Sequence, residues 1–215
     1  ERLSRLFRYF ISSSYKLKHK YQNKNQITNA DLILNLLKRK NFNPVYIIDI
    51  GCGYGQWTKK LFKFFPSSQY LLFDADKNNF KKLNDLKKNH KNLNFKICLL
   101  TDDNRSYKFY NMGYGSSIFE EQTSHKRKIE EIISTTLHQE LPFNLKNQSN
   151  NLIKLDVQGA ELKVLDGLKE LINFFEIIIL EVSLHNYNKD SPLFNDVMIY
   201  MNNKGFRLYD LFDLK

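Results

Sequence analysis

Three glycines at alternate positions, Gly51, Gly53 and Gly55, directly follow the run VYIIDI. A strand that ends in so bare a turn and then opens a helix lets the backbone take positive φ and lets a ligand lie against it. Asp74 and Asp76 close the next apolar run. That is about twenty residues on, where a nucleotide-binding βαβ unit carries the acid that holds ribose hydroxyls. Together they predict an adenosine-bearing ligand. The spacing is GxGxG, neither the GxGxxG of dinucleotide sites nor GxxxxGK[ST], since no Lys-Ser/Thr pair follows. Asp49 would repel a pyrophosphate and suits a cation such as the amino group of a methionine moiety. This favours S-adenosylmethionine, which carries a positive sulfonium and no phosphates. A glycine turn that only tightens a strand-helix corner is the competing reading, and Asp74 in register weighs against it.

Methyl transfer to an oxygen depends mostly on alignment, with a base to take the hydroxyl proton. Ligands of open α/β sheets bind at the carboxyl ends of strands. Asp156 ends the run NLIKLD and Glu181 lies at the end of EIIILEV, so both are expected at that crevice. Asp156 is the candidate for orienting the acceptor or taking its proton, with a helix-capping carboxylate as the equal alternative. His185 follows in SLHNY and is a second candidate base, although a lone loop histidine is more often at the surface. Glu161 falls in the first turn of a helix, where a negative charge is stabilised regardless of function. Asp156 and Glu181 could share a divalent cation, but two carboxylates without a third ligand do not make a metal centre, and none is expected.

The elements that must position these residues read as an α/β domain. The apolar runs VYIIDI (45–50), QYLLFD (69–74), NFKICLL (94–100), NLIKLD (151–156) and EIIILEV (176–182) are continuous, as in parallel strands covered on both faces. Helices are predicted over 56–65, ended by Pro66, over 78–91, over 160–173 and near 193–203, with a last strand in FRLYDLF. The stretch 101–150 is long for a connection and is expected as an insertion beside the active face, with strands in SYKFYN and IEEIISTTL. Trp57, Phe62 and Phe65 are simplest as core.

Composition narrows the class. At 42% apolar and 14% aromatic, 215 residues support one folded domain, 41–215, behind an N-terminal extension, 1–40. Cys52 and Cys98 form no CxxC or Cys/His cluster, which argues against zinc and a disulfide scaffold and for a cytoplasmic setting. No apolar run approaches the roughly 18 residues of a membrane span, so a soluble chain is expected. It opens without Met, which leaves the native N-terminus open. Arg2, Arg5, Arg8, Lys16, Lys18, Lys20 and Lys24 stand against Glu1 alone, more than half of the net charge of +10. With Leu3, Leu6, Phe7, Phe10 and Ile11 at helical spacing, the segment reads as a basic helix that packs on the domain, or as one that meets a membrane surface, a partner or an anionic polymer.

The segments IKLDVQGAELKVLDGL (153–168), EIIILEVS (176–183) and NKGFRLYD (203–210) resemble the FkbM family of class I S-adenosylmethionine-dependent methyltransferases. That family's signature runs KxDVEGAExxVLxG, then an apolar strand ending in Glu, then GFxLYD. Gln158 stands where the family usually has Glu, and His138 replaces an Asp of its TLD segment. The resemblance implies a Rossmann-like fold and a mainly parallel, doubly wound sheet with helices on both faces. It implies that Asp49, Gly51 and Gly53, with Tyr54, hold the methionine end of the cofactor, and that Asp74, with Ala75, meets the ribose. It also implies an adenine contact at Asp102 and a place for Ser117, beside Ser116, at the cofactor mouth. The expected activity is methylation of a hydroxyl on a sugar, glycan or other small molecule. Methylation of RNA is a second reading: no base-flipping motif such as DPPY and no cysteine placed for cytosine C5 chemistry is found, which weighs against a base as target, whereas a ribose 2′-hydroxyl would need neither; nucleic acid is not the expected partner. A cofactor-binding subunit without catalysis is a third reading.

Overall fold

The computed structural model describes residues 9–13, 29–148 and 150–211. Strand β1 is Tyr9–Ser13, helix α1 Asn29–Arg39, β2 Tyr46–Ile50, α2 Gln56–Leu61, β3 Gln69–Asp74, α3 Phe80–Asn89 and β4 Leu93–Ile97. Then come β5 Leu99–Thr101, β6 Ser106–Asn111, β7 Lys128–Thr136, α4 Leu137–Glu140, β8 Asn151–Leu155, α5 Glu161–Asp166, β9 Phe175–Glu181, α6 Phe194–Asn203 and β10 Arg207–Leu211.

The large sheet runs β10-β1-β9-β8-β2-β3-β4, and every neighbouring pair is parallel. Counted from Tyr46, the strands β4-β3-β2-β8-β9 lie in the order 3-2-1-4-5 of a doubly wound Rossmann-like sheet. Alternate strand residues feed two apolar layers. Ile47, Leu72, Leu152 and Ile177 pack with Ile33, Leu34 and Leu37 of α1, Leu61 of α2 and Leu83 of α3. Ile48, Ile153, Ile178 and Leu180 pack on the other face with Val164 and Leu165 of α5 and Val197 and Met201 of α6. Each fully buried Ile or Leu contributes about 1.5–3 kcal/mol relative to exposure, which is why the runs carry apolar residues on both faces. The strand order reverses between β2 and β8, and a crevice opens at the carboxyl ends there.

Two expectations are corrected. The run NFKICLL is not one strand. β4 pairs with β3, the chain turns at Cys98, whose N–H bonds to the Asp74 carbonyl at 2.9 Å, and β5 leaves to pair with β7 in a second sheet, β5-β7-β6. A continuous apolar run does not encode a change of partner. Within the N-terminal extension, Tyr9–Ser13 form not a helix but the strand between β9 and β10. Both neighbours have open edges with unpaired backbone groups, and pairing with both outweighs a helical period. The remainder of that basic segment lies outside the described residues, apart from α1. Among the described residues no helix is long and apolar enough to cross a membrane.

Candidate active site

A cavity of about 820 Å³ opens at the switch point, lined by the glycine turn, the ends of β3, β8 and β9, and the loop 113–118. That is the size of a small-molecule site.

The three glycines turn out to serve different neighbours. All have positive φ: 65° at Gly51, 55° at Gly53 and 78° at Gly55. A Cβ on Gly51 would lie 1.9 Å from the Asp156 carbonyl oxygen, and one on Gly55 would lie 2.6 Å from Leu86 of α3. Those two are bare so that β8 and α3 can close on the turn. Only at Gly53 would a Cβ meet nothing within 4 Å. The amides of Gly51 and Cys52 donate to the Phe73 carbonyl, and that of Gly55 to the Cys52 carbonyl. They are satisfied within the protein and do not form an open anion nest.

Asp74 faces this turn. Its Oδ2 accepts from the Gly53 N–H at 2.7 Å, and its Oδ1 from the Asp76 N–H at 2.8 Å and Asn79 Nδ2 at 3.1 Å. A carboxylate offers about four acceptor positions, so capacity remains for a ligand hydroxyl. Burial holds its pKa above the ordinary value, against these three hydrogen bonds. Ala75 and Tyr54 also line the cavity. The Tyr54 ring meets Tyr114 edge-on at 6.2 Å and carries the Lys82 ammonium at 4.3 Å.

Asp49 is not at the wall. It is fully buried, accepts from Thr58 Oγ1 at 2.6 Å, and its Oδ1 faces the Lys154 ammonium at 3.4 Å without hydrogen-bond geometry. Desolvation raises its pKa. Its parity on β2 matches Ile47, toward α2, so it braces the turn from below rather than reaching a ligand's amino group.

Lys154 is the residue that pattern reading passed over. Its ammonium lies 3.4 Å from Asp49 Oδ1, 3.2 Å from Asp156 Oδ2 and 3.4 Å from the Gly51 carbonyl, with the Trp57 ring 5.9 Å away. Burial disfavours its charged form, but the flanking carboxylates outweigh it and hold the pKa above the usual lysine value. A cation inside an otherwise apolar strand, at the first position of KxDVEGAE, was its signal.

Asp156 and Glu181 do come together at the cavity. Gln158 Nε2 donates to Asp156 Oδ1 and to Glu181 Oε2, each at 2.8 Å, and the two acids are hydrogen-bonded to one another. Burial works against ionisation of both, but Lys154 beside Asp156 overturns it there and keeps that carboxyl low, at about 2. For Glu181, desolvation and then the bond to Asp156 push it up. At neutral pH the pair therefore shares one proton. Glu161 takes its expected structural part: Oε1 accepts from the Val157 N–H and Oε2 from the Gly159 N–H, both at 2.9 Å, which secures the loop into α5.

Two further predicted residues, Asp102 and His185, fall elsewhere, and Ser117 lines the cavity with its hydroxyl already engaged. Asp102 follows β5 in the second sheet, ion-paired with Lys163 at 3.4 Å and outside the lining, because the chain leaves the main sheet at Cys98. Cys98, Leu99 and Leu100 line the cavity in its place. His185 is exposed in the β9–α6 loop, edge-on to Tyr187, also outside the lining. Ser117 reaches the cavity, but its hydroxyl donates to the Gln158 carbonyl at 2.8 Å and accepts from the Phe119 N–H, so it secures loops. Among the described residues no group of three or more His, Cys, Asp or Glu is placed to hold a metal ion.

The model of the family described as Methyltransferase FkbM domain matches residues 49–208, the stretch that contains every cavity element described above. Among solved structures, the precorrin-6y C5,15-methyltransferase from Geobacter metallireducens GS-15 is similar at 12% identity and a TM-score of 0.35, over 70% of this chain and 60% of that chain. No curated protein sequence matches. The chain belongs to the FkbM methyltransferase family.

Proposed function

We propose that the protein transfers a methyl group from S-adenosylmethionine to a hydroxyl of a sugar, glycan or other small metabolite. The observation that carries this is the pairing of Gly53, open on its Cα face, with the Asp74 carboxylate on its amide, next to an acid pair in one cavity. A sulfonium nucleoside fits that wall: the Asp74 carboxylate keeps acceptor capacity for a ribose hydroxyl, and the turn amides are already satisfied, so a pyrophosphate would lack its usual donors. Gly53, Asp74 and Ala75 would hold it, and when bound it supplies an electrophilic methyl carbon.

The acceptor is handled by this chain's own groups. Asp156, ionised and oriented by Lys154 and Gln158, accepts a hydrogen bond from the hydroxyl and then its proton. A low carboxylate pKa suffices, because an alcohol oxygen that has gained an alkyl group is itself a strong acid. Most of the acceleration comes from alignment within a partly closed cavity. The hydroxyl lies on a partner brought from solution, and the protein works in the cytoplasm, with the basic N-terminal segment as a contact to a membrane surface or partner.

The test is turnover: incubation with S-adenosylmethionine and a panel of neutral and acidic glycans, read by mass spectrometry for replacement of a hydrogen by a methyl group. Gain on a glycan hydroxyl supports the reading. Cofactor binding with no product on glycans but product on RNA ribose would move the activity to the RNA alternative.

A further inference from the structure

Gln158 has φ of 53°, a left-handed conformation that side chains other than Gly, Asn and Asp rarely adopt, and it does so in the wall of the cavity. Such strain persists only where the surroundings over-determine it. They do so here. Its carbonyl accepts from two buried side chains in different loops, Ser117 Oγ at 2.8 Å and Asn188 Nδ2 at 2.7 Å. The result is that the carboxamide nitrogen, which has two protons, sits 2.8 Å from one oxygen of each acid. A glycine would relieve the backbone and remove the bridge; a carboxylate would put a third acid at the same point.

We propose that Gln158 is a positioning residue, which holds Asp156 and Glu181 together at the cavity wall through one carboxamide nitrogen. Its importance for the acceptor rests on the methyl-transfer reading above, whereas the pairing itself is a property of this chain alone. The titratable groups that face the pair are Lys154 on β8, Asp49 on β2 and Glu161 on α5.

The experiment is a carbon-13 NMR titration of side-chain carboxyls in the wild type and in Gln158→Gly, a change that the observed φ tolerates. Loss of the amide donor should raise the Asp156 midpoint by about one pH unit, a tenfold gain in proton affinity. An unchanged midpoint in folded Gln158→Gly would overturn the proposal. Gln158→Glu supplies the second arm, with Mn²⁺ as the probe: calorimetry should show affinity at least about tenfold above that of the wild type. Equal affinity would mean that the side chain does not occupy the point between the acids, and would also overturn it. S-adenosylmethionine is titrated into the wild type alongside. Absence of binding there would sink the methyl-transfer reading, while the carboxyl midpoints still decide the role of Gln158.

Discussion

Two glycines in one turn are expected to fail in opposite ways when each is given a methyl group. In Gly51→Ala the new Cβ meets the Asp156 carbonyl oxygen at 1.9 Å, far inside contact distance, and that oxygen belongs to a backbone end that cannot rotate away. Left-handed φ in an L-residue costs roughly 1–2 kcal/mol and a forced shift of packed backbone about 1–3 kcal/mol more. The expected loss is about 3 kcal/mol, or a drop in Tm of roughly 6–12 °C for a chain of this length. Gly53→Ala carries only the conformational part, since its Cβ has open space, so about 1 kcal/mol and a drop of roughly 2–4 °C are expected. The ligand reading adds an asymmetry: the open space is where the nucleoside lies, so Gly53→Ala should weaken S-adenosylmethionine at least about tenfold while it stays folded. Urea or thermal unfolding with calorimetric titration of both variants checks this. Equal stability losses, with unimpaired affinity in Gly53→Ala, would refute both the packing argument and the placement of the ligand.

Lys154→Met leaves the buried Asp49 and the half-buried Asp156 without their cation, which should cost about 3 kcal/mol at pH 8, the low end for buried pairs because solvent reaches Asp156, and less at pH 5, where the orphaned carboxyls can protonate; a loss under about 1 kcal/mol at pH 8 by urea unfolding would contradict the ion-pair account. Glu161 is raised to about 7 and Glu181 to about 9 by burial, so the folded chain keeps protons that the unfolded chain releases near 4.5. Their contribution is complete below that value and is lost as pH rises through the folded values, so stability should fall between about pH 5 and 9, and Glu181→Gln should flatten the limb above pH 7; parallel pH curves for the two proteins would contradict it. His185→Ala should leave both turnover and cofactor affinity unchanged, since the ring is exposed and away from the cavity, and a loss of more than about tenfold in kcat/KM would return it to the site.

The strand runs around residues 47, 72, 153 and 178 could be read from sequence because burial on both faces leaves a continuous apolar signal. The turn at Gly51–Gly55 could be read because positive φ selects glycine, and the pairing of Asp156 with Glu181 because parallel strands bring their carboxyl ends together. What could not be read depends on contacts far along the chain. Gly51 owes its bareness to the Asp156 carbonyl and Gly55 to Leu86, so identical residues in one turn serve packing and ligand access differently. Asp49 looked like a ligand contact by type, but its orientation follows from strand parity, which places it under the turn with Thr58. The adenine contact that the resemblance implies at Asp102 presumes a third strand that stays in the main sheet, whereas the chain changes sheet at Cys98. Gln158 departs visibly from the family's Glu, yet its bridging geometry depends on Ser117 and Asn188, which hold its carbonyl from elsewhere in the chain.

The central claim is that the cavity beside Gly53 and Asp74 binds a sulfonium nucleoside. Parallel calorimetric titrations of the wild type and Asp74→Ala with S-adenosylmethionine, and of the wild type with NADH, test it most directly. Saturable binding of S-adenosylmethionine to the wild type, weaker by at least about tenfold in a folded Asp74→Ala, is the predicted result. An unchanged dissociation constant in Asp74→Ala, or preference for NADH, would contradict it.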